Sequence, residues 1–210
     1  MKKFFALFLL ILSALGASAE FRWGPTAGVN FSTLHWKQNI ANTSMRTGFD
    51  AGLAGELMIP GIGFGIDLGL RYNMHGARVD FGDHKIWEID GIENQNVWLH
   101  TLEIPVNLKF KWTRLNGLER IIAPLVYAGP VFNFTLGTNK CPAIEHPAGY
   151  VAIQVAAGVE LYEHFQVSGG YSWGVSYQVR TIKLDNYSAV PRGGFIQLAY
   201  FFLFRNVTLT

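Results

Sequence analysis

Three histidines and a group of carboxylates lie close together in the chain: His75, His84 and His100, with Asp80, Asp83 and Glu88. A histidine oriented by a carboxylate can activate a serine for hydrolysis when all three come within hydrogen-bond reach. No serine stands at a recognisable spacing from any of these histidines, so the group reads as a polar loop before it reads as a hydrolytic site. A metal site built from His75, His84 and Asp83 is weaker, because no two ligands are spaced i, i+2 or i, i+4. His35, His146 and His164 are scattered. Cys141 is the single cysteine. One thiol makes neither a disulfide framework nor a thiolate cluster, and only Lys140 stands beside it to activate it. The expectation is therefore no catalytic, cofactor-binding or metal-ligating residue, no cofactor, and no enzyme.

The elements that would hold such residues point elsewhere. Of 210 residues, 50% are hydrophobic, 14% aromatic and only 15% charged, with 23 glycines. Soluble domains carry about a quarter charged residues, so this surface is too apolar for ordinary solvation and too apolar for disorder. Seventeen Lys and Arg stand against fifteen Asp and Glu. Two of those bases, Lys2 and Lys3, fall in a segment expected to be removed, which leaves no net charge and no electrostatic case for nucleic acid.

That segment has three parts: basic Met1-Lys2-Lys3, an apolar run from Phe4 to Leu15, and Ala17-Ser18-Ala19 with small residues where a signal peptidase reads. We expect residues 1–19 to be a signal peptide for the Sec pathway, with the mature chain, residues 20–210, forming one domain from Glu20. The alternative, an N-terminal anchor, suffers from an apolar run too short for a spanning helix. No later stretch reaches eighteen apolar residues, so a greasy exported chain must cross a membrane with strands or not at all.

Alternation supports strands. From Ile62 to Asn73 every even position is apolar and every odd one is Gly, Asp67, Arg71 or Asn73; from Thr101 to Trp112 the even positions are again apolar and the odd ones hold Glu103, Asn107, Lys109 and Lys111. Both runs reach the ~9–11 residues of a tilted membrane strand. Trp23–Phe31, Phe49–Ile59, Ile122–Leu136, Tyr150–Leu161, Phe165–Val179 and Gly194–Phe204 read the same way. Eight such segments predict an all-β, eight-stranded, antiparallel up-and-down transmembrane barrel of the OmpA/OmpX size.

The connections agree with that topology. Ser32–Arg46, Gly76–Val97, Gly137–Pro147 and Arg180–Gly193 are long and alternate with the short Pro60-Gly61, Thr113–Arg120 and Tyr162–His164, as external loops alternate with periplasmic turns. Aromatics fall in two groups. Trp23, Phe110, Trp112, Phe165, Phe202 and Phe204 lie toward the short-turn rim; Phe31, Tyr72, Trp98, Phe132, Phe134 and Tyr177 lie toward the other. A soluble β-sandwich also alternates, but explains neither the strand lengths nor the loop asymmetry.

Leu102-Glu103-Ile104-Pro105-Val106-Asn107-Leu108-Lys109, Pro124–Pro130 (PLVYAGP), Ala27-Gly28-Val29-Asn30-Phe31, and Gly158–Glu160 leading to Gly170-Tyr171 resemble the PorT-like outer-membrane β-barrel family of Bacteroidota. The resemblance spans the mature chain and rests on short structural motifs. It implies an eight-stranded barrel in a cell outer membrane, often without an assigned activity; one founding member is linked to type IX secretion. It supplies no functional residues here.

By alternation Asp50, Glu56, Asp67, Arg71, Glu103, Lys109, Lys111 and Glu160 face a lumen only wide enough for side chains. The favoured reading is a polar plug fixing strand register, the alternative a proton or ion path. Gly52, Gly63, Gly65, Gly69, Gly158 and Gly170 would either make room for those long chains or leave a small cavity. In the second long loop, Val79, Phe81, Ile86, Trp87, Ile89 and Ile92 alternate with Asp80, Asp83, His84, Glu88 and Asp90. A hairpin prolonging strands three and four there could template a partner strand, or fold over the mouth as a lid. Only Arg205–Thr210 follow the last segment, so no periplasmic domain is expected. The functional expectation is a monomeric outer-membrane component, in contact with membrane lipid and lipopolysaccharide, acting structurally or in assembly through its external loops and a protein partner at residues 76–97. The alternatives are a lipid-modifying hydrolase at the outer rim and a narrow conduit.

Overall fold

The computed structural model describes residues 20–36, 42–59, 61–80, 94–115, 117–138, 144–145, 148–176, 179–181 and 188–202. The expected signal peptide, His84 and Cys141 fall outside these residues, as does the tip of the second long loop.

Eight long strands carry the fold: β1 (Glu20–Trp36), β2 (Arg46–Met58), β3 (Phe64–Asp80), β4 (Asn94–Lys111), β5 (Ile122–Thr138), β6 (Gly149–Leu161), β7 (Phe165–Gly174) and β8 (Ser188–Tyr200). Each pairs antiparallel with the next. The last returns to the first along Thr26–Trp36 and Ala189–Ala199, so the sheet is closed. Each segment expected from alternation falls mainly on one of these strands; Phe165–Val179 overruns β7, and Gly194–Phe204 overruns β8, with its last two residues outside the described ones.

The strands differ from that expectation at their loop ends, most of which run further. Alternation stops at Asn73, yet β3 continues to Asp80, paired back to Asn94. Beyond the hydrocarbon layer no lipid selects an apolar face, so polarity ceases to alternate while the hydrogen-bond ladder goes on. The hairpin expected to prolong the third and fourth strands thus exists as far as Asp80 and Asn94. Its β3 edge is not open, however, because Asn42–Ser44 pairs with Arg78–Asp80. Two other short pieces, Ile144–Glu145 and Val179–Thr181, extend the sheet beside β8 at the same end. The seventh strand stops at Gly174 instead of running through to Val179.

Burial is inverted relative to a soluble domain. Leu53, Leu70, Leu108, Ile153, Ile196 and Leu198 are about half exposed or more, while Asp50, Glu56, Arg71, Lys109 and Gln154 are buried. Such a continuous apolar exterior suits acyl chains and would drive association in water. Toward the short-turn end the outer face carries an aromatic band: Trp23 against Phe202, Phe64 against Phe110, Phe110 against Trp112, and Phe165 against Tyr200, with ring centroids 4.7–5.5 Å apart. Toward the other end Phe49 meets Tyr72, Tyr171 meets Trp173, and the Arg46 guanidinium lies 3.5 Å above the Trp98 ring.

Two motif residues mark local departures from a regular ladder. Pro105, inside β4, brings no N–H, and the pairing to β3 lapses between Leu68↔Val106 and Arg71↔Glu103. Gly52 faces inward where the barrel curves tightly: a Cβ there would lie 2.1 Å from the Leu70 carbonyl oxygen and 2.6 Å from Arg71 Cα. Inward glycines such as this one therefore admit the neighbouring strand's backbone. Space for long charged side chains is not their main service, because in a sheet coiled this strongly each inward Cβ is pressed toward the adjacent strand.

Candidate functional site

All eight charged residues assigned inward are buried in the lumen. A ninth, Arg22, joins them; it sits one residue before the aromatic taken as the start of the first strand, in phase with inward Thr26 and Asn30. Its parity was the signal that could have found it.

Six of the nine charges gather near the short-turn end. Glu56 is the hub: its carboxylate accepts from Arg22 Nε at 2.7 Å, contacts Lys109 directly, and lies 3.5 Å from Lys111 Nζ. Glu160 accepts from Arg22 Nη2 at 2.7 Å and from Lys111 at 3.1 Å, and Asp67 stands 3.7 Å from Lys109. Three cations thus meet three anions, so the cluster is neutral, and its members have the multiple partners that buried ions require. Phe201, wholly buried, closes it from below, with Lys109 Nζ and the Arg22 guanidinium 5.2 and 5.5 Å from its ring centre. Arg22 Nη1 also donates to the Glu163 carbonyl at 2.6 Å, tying the cluster to the turn at Tyr162 and Glu163, whose φ angles are positive.

Above this cluster the lumen loosens. A void of about 20 Å³ lies beside Thr26, Asp67, Tyr127 and Ser168. Next comes a cavity of about 60 Å³ lined by Asn30, Asp50, Arg71, Asn73, Glu103 and Asn133 among others; Arg71 and Gln197 border both spaces. Sequence reasoning left plug and cavity as alternatives. The structure holds both, one above the other.

The cavity wall is a hydrogen-bonded chain. Asn30 Nδ2 donates to Asn73 Oδ1 at 2.8 Å, Asn73 Nδ2 donates to Glu103 Oε1 at 2.5 Å, and Arg71 Nη2 lies 3.4 Å from Glu103 Oε2. Gln197 Nε2 donates to Asp50 Oδ2 at 3.1 Å. Tyr150 Oη and His75 Nε2 approach to 3.4 Å. Among the described residues, the buried atoms Asn30 Oδ1, Arg71 Nε and Asn133 Oδ1 in this wall lack a protein partner.

The histidines grouped in sequence are divided by the barrel wall. His75 faces the lumen and lines the cavity. His100 is one strand away on the outer face, stacked on Tyr72 with its Nδ1 2.5 Å from the phenol oxygen. Among the described residues no serine hydroxyl bonds to His100, and no three of His, Cys, Asp and Glu are grouped to hold a metal ion. His35 is exposed at the end of β1, and His164 lies in the short turn before β7, stacked on Tyr200.

Solved barrels resemble this one in fold at very low identity. The outer membrane protein OprG from Pseudomonas aeruginosa matches with a TM-score of 0.51 and 11% identity, over 88% of this chain and 94% of that one. Neisserial surface protein A, NspA, matches with a TM-score of 0.44 and 10% identity over 85% and 96%. Ail, the attachment invasion locus protein of Yersinia pestis, matches with a TM-score of 0.41 and 12% identity over 87% and 99%. What this chain shares with OprG is the fold. No curated protein matches the sequence. The model of the outer membrane protein beta-barrel domain family does match, over residues 16–177, most of the chain. With eight closed strands, an apolar exterior and a polar interior, this chain belongs to the outer membrane protein beta-barrel domain family.

Proposed function

We propose that the protein works at the cell surface, through the long-loop end of its barrel, as a structural or assembly component of the kind its PorT-like motifs imply in Bacteroidota, with a link to secretion. The observation that carries this reading is the neutral ion cluster around Glu56. A lumen shut at the periplasmic end offers no thoroughfare, which leaves the external end as the working surface. In this reading residues 1–19 direct Sec export and are cleaved, and the barrel sits in the membrane as a monomer among lipid and lipopolysaccharide. Residues 76–97 then receive a protein partner. The protein is not an enzyme.

The test is mild-detergent extraction from the native outer membrane with mass spectrometry of what co-purifies, repeated after deletion of Asp80–Asn94. A stoichiometric partner lost on deletion, with the heat-dependent gel shift of a folded barrel retained, supports the reading. A clean monomer carrying only lipid sinks it, and a deletion that prevents folding removes the assignment of the loop.

Two observations favour second readings. The stacked voids sharing Arg71 and Gln197 suit a narrow conduit that opens when the Glu56 cluster parts. Steady conductance in a planar bilayer, lost on changing Arg71 or Glu103, would support that. His100 on the outer face beside Tyr72 suits lipid hydrolysis at the rim, and deacylation of lipid A lost in His100→Asn would support that instead.

A further inference from the structure

The three partnerless atoms in the cavity wall are not interchangeable, and their kinds specify what would satisfy them. Asn30 and Asn133 are each fixed in orientation. The Asn30 amide nitrogen donates to Asn73 Oδ1 and lies 3.4 Å from the Met74 carbonyl oxygen, and the Asn133 amide nitrogen donates to the Val131 carbonyl at 3.1 Å. A carbonyl oxygen only accepts, so in both residues Oδ1 is the atom left over. Against these two acceptors the wall offers one unmet donor, Arg71 Nε. Asp50 adds further capacity, since its hydrogen-bond donor in the wall is the single amide of Gln197.

Charge leans the same way. Among the described residues, Asp50 and Glu103 face the cavity with Arg71 as the buried arginine beside them, and with His75, held near Tyr150, on the same wall. Arg192 borders the mouth but is exposed, on the outer face with its neighbour Trp173. The lower cluster cannot supply the difference, because its three cations already meet three anions. Water filling the space would meet the hydrogen bonds and leave the charge.

We propose that this outward cavity is a binding site for a small organic cation rich in N–H donors, of the guanidinium or alkylammonium class. Its cation sits against Asp50 and Glu103, and its remaining N–H groups go to Asn30 Oδ1 and Asn133 Oδ1. The volume of about 60 Å³ is room for about four to six waters, which matches a cation of a few heavy atoms. The site is independent of the loop-partner reading, since a cation can enter whether or not a protein is docked outside.

The experiment is calorimetric titration of the folded barrel, in nanodiscs and excess potassium chloride, with methylguanidinium. N-methylurea, its neutral near-isostere, and acetate serve as the comparison ligands. Saturable binding of methylguanidinium alone is expected. Asp50→Asn and Glu103→Gln should each weaken it at least about tenfold, as loss of a charged hydrogen-bond partner does. Each variant is first shown to be folded by its heat-dependent gel shift; if one fails to fold, the other and the ligand comparison still decide. Equal binding of N-methylurea, no saturable binding, or affinity unchanged in the folded carboxylate variants would overturn the proposal.

Discussion

Glu56 and Lys109, on strands separated by β3, meet inside the barrel with both side chains wholly withdrawn from solvent. Neither could be there alone. Removing a buried ion's partner costs far more than the pair contributes, so the cluster acts as a register lock: a strand shifted by one residue would turn one of these charges out into lipid.

Glu56→Gln should therefore destabilise the barrel by about 3–5 kcal/mol, because it leaves three cations with only Glu160 and Asp67 between them. Glu160→Gln should cost less, since Glu160 meets only Arg22 and Lys111. Urea unfolding in lipid vesicles, followed by tryptophan fluorescence, gives both numbers. Equal losses would mean that Glu56 is not the hub.

Gly52→Ala places a methyl 2.1 Å from a carbonyl oxygen of the neighbouring strand. The atoms it meets are backbone of the adjoining strand, which cannot swing aside as a side chain can, so a loss of about 1–3 kcal/mol is expected, in the range of other overpacking changes. Gly137→Ala meets nothing within 4 Å and should stay within about 0.5 kcal/mol of the parent. The same unfolding assay compares them, and a neutral Gly52→Ala would show that the wall curves less tightly than described.

Leu70 faces outward between the two aromatic bands, 48% exposed. Leu70→Arg should cost about 2–4 kcal/mol in a bilayer, as charges facing lipid near the midplane do. Leu136→Arg, on an outer-face residue close to the loop end of β5, should cost less than half of that. If the two cost the same, the hydrocarbon boundary lies nearer the loops than the aromatic bands suggest.

Glu119 closes the short turn between β4 and β5. Backbone N–H groups hold its carboxylate below the usual carboxylate range: its own first, then those of Leu115 at 3.1 Å and Gly117 at 2.9 Å. A depressed value means the turn is favoured above the ordinary carboxylate pKa and loses that support as pH falls through the lowered one. An NMR titration of the Glu119 side chain should give a midpoint below that of a model peptide. A midpoint at or above the peptide value would remove the carboxylate from the turn.

Much of this architecture is legible in the sequence. Ile62–Asn73 and Thr101–Trp112 gave both faces of β3 and β4, because lipid on one side and a narrow polar lumen on the other impose a period of two that few other environments sustain. The same parity, carried past Asn73 and back before Thr101, would have put His75 inside and His100 outside, a division that grouping the histidines by nearness in sequence does not draw. What alternation cannot convey is which inward residues meet across the barrel. Arg22 reaches both Glu56 and Glu160 only because the stagger and diameter of eight strands bring β1, β2 and β6 to one level. The cavity was illegible for a related reason: a void is what side chains leave unfilled, and it depends on every rotamer around it.

The seam between β1 and β8 joins residues as far apart in the chain as Thr26 and Ala199. Every other pairing between the eight long strands links neighbours in the chain and can form as a hairpin, but this one waits for the entire polypeptide. Until it forms, both terminal strands present unsatisfied backbone, which lipid cannot tolerate and which invites other strands. Insertion is therefore committed by its last step, and whatever shepherds the chain into the membrane has to guard two edges at once until they meet.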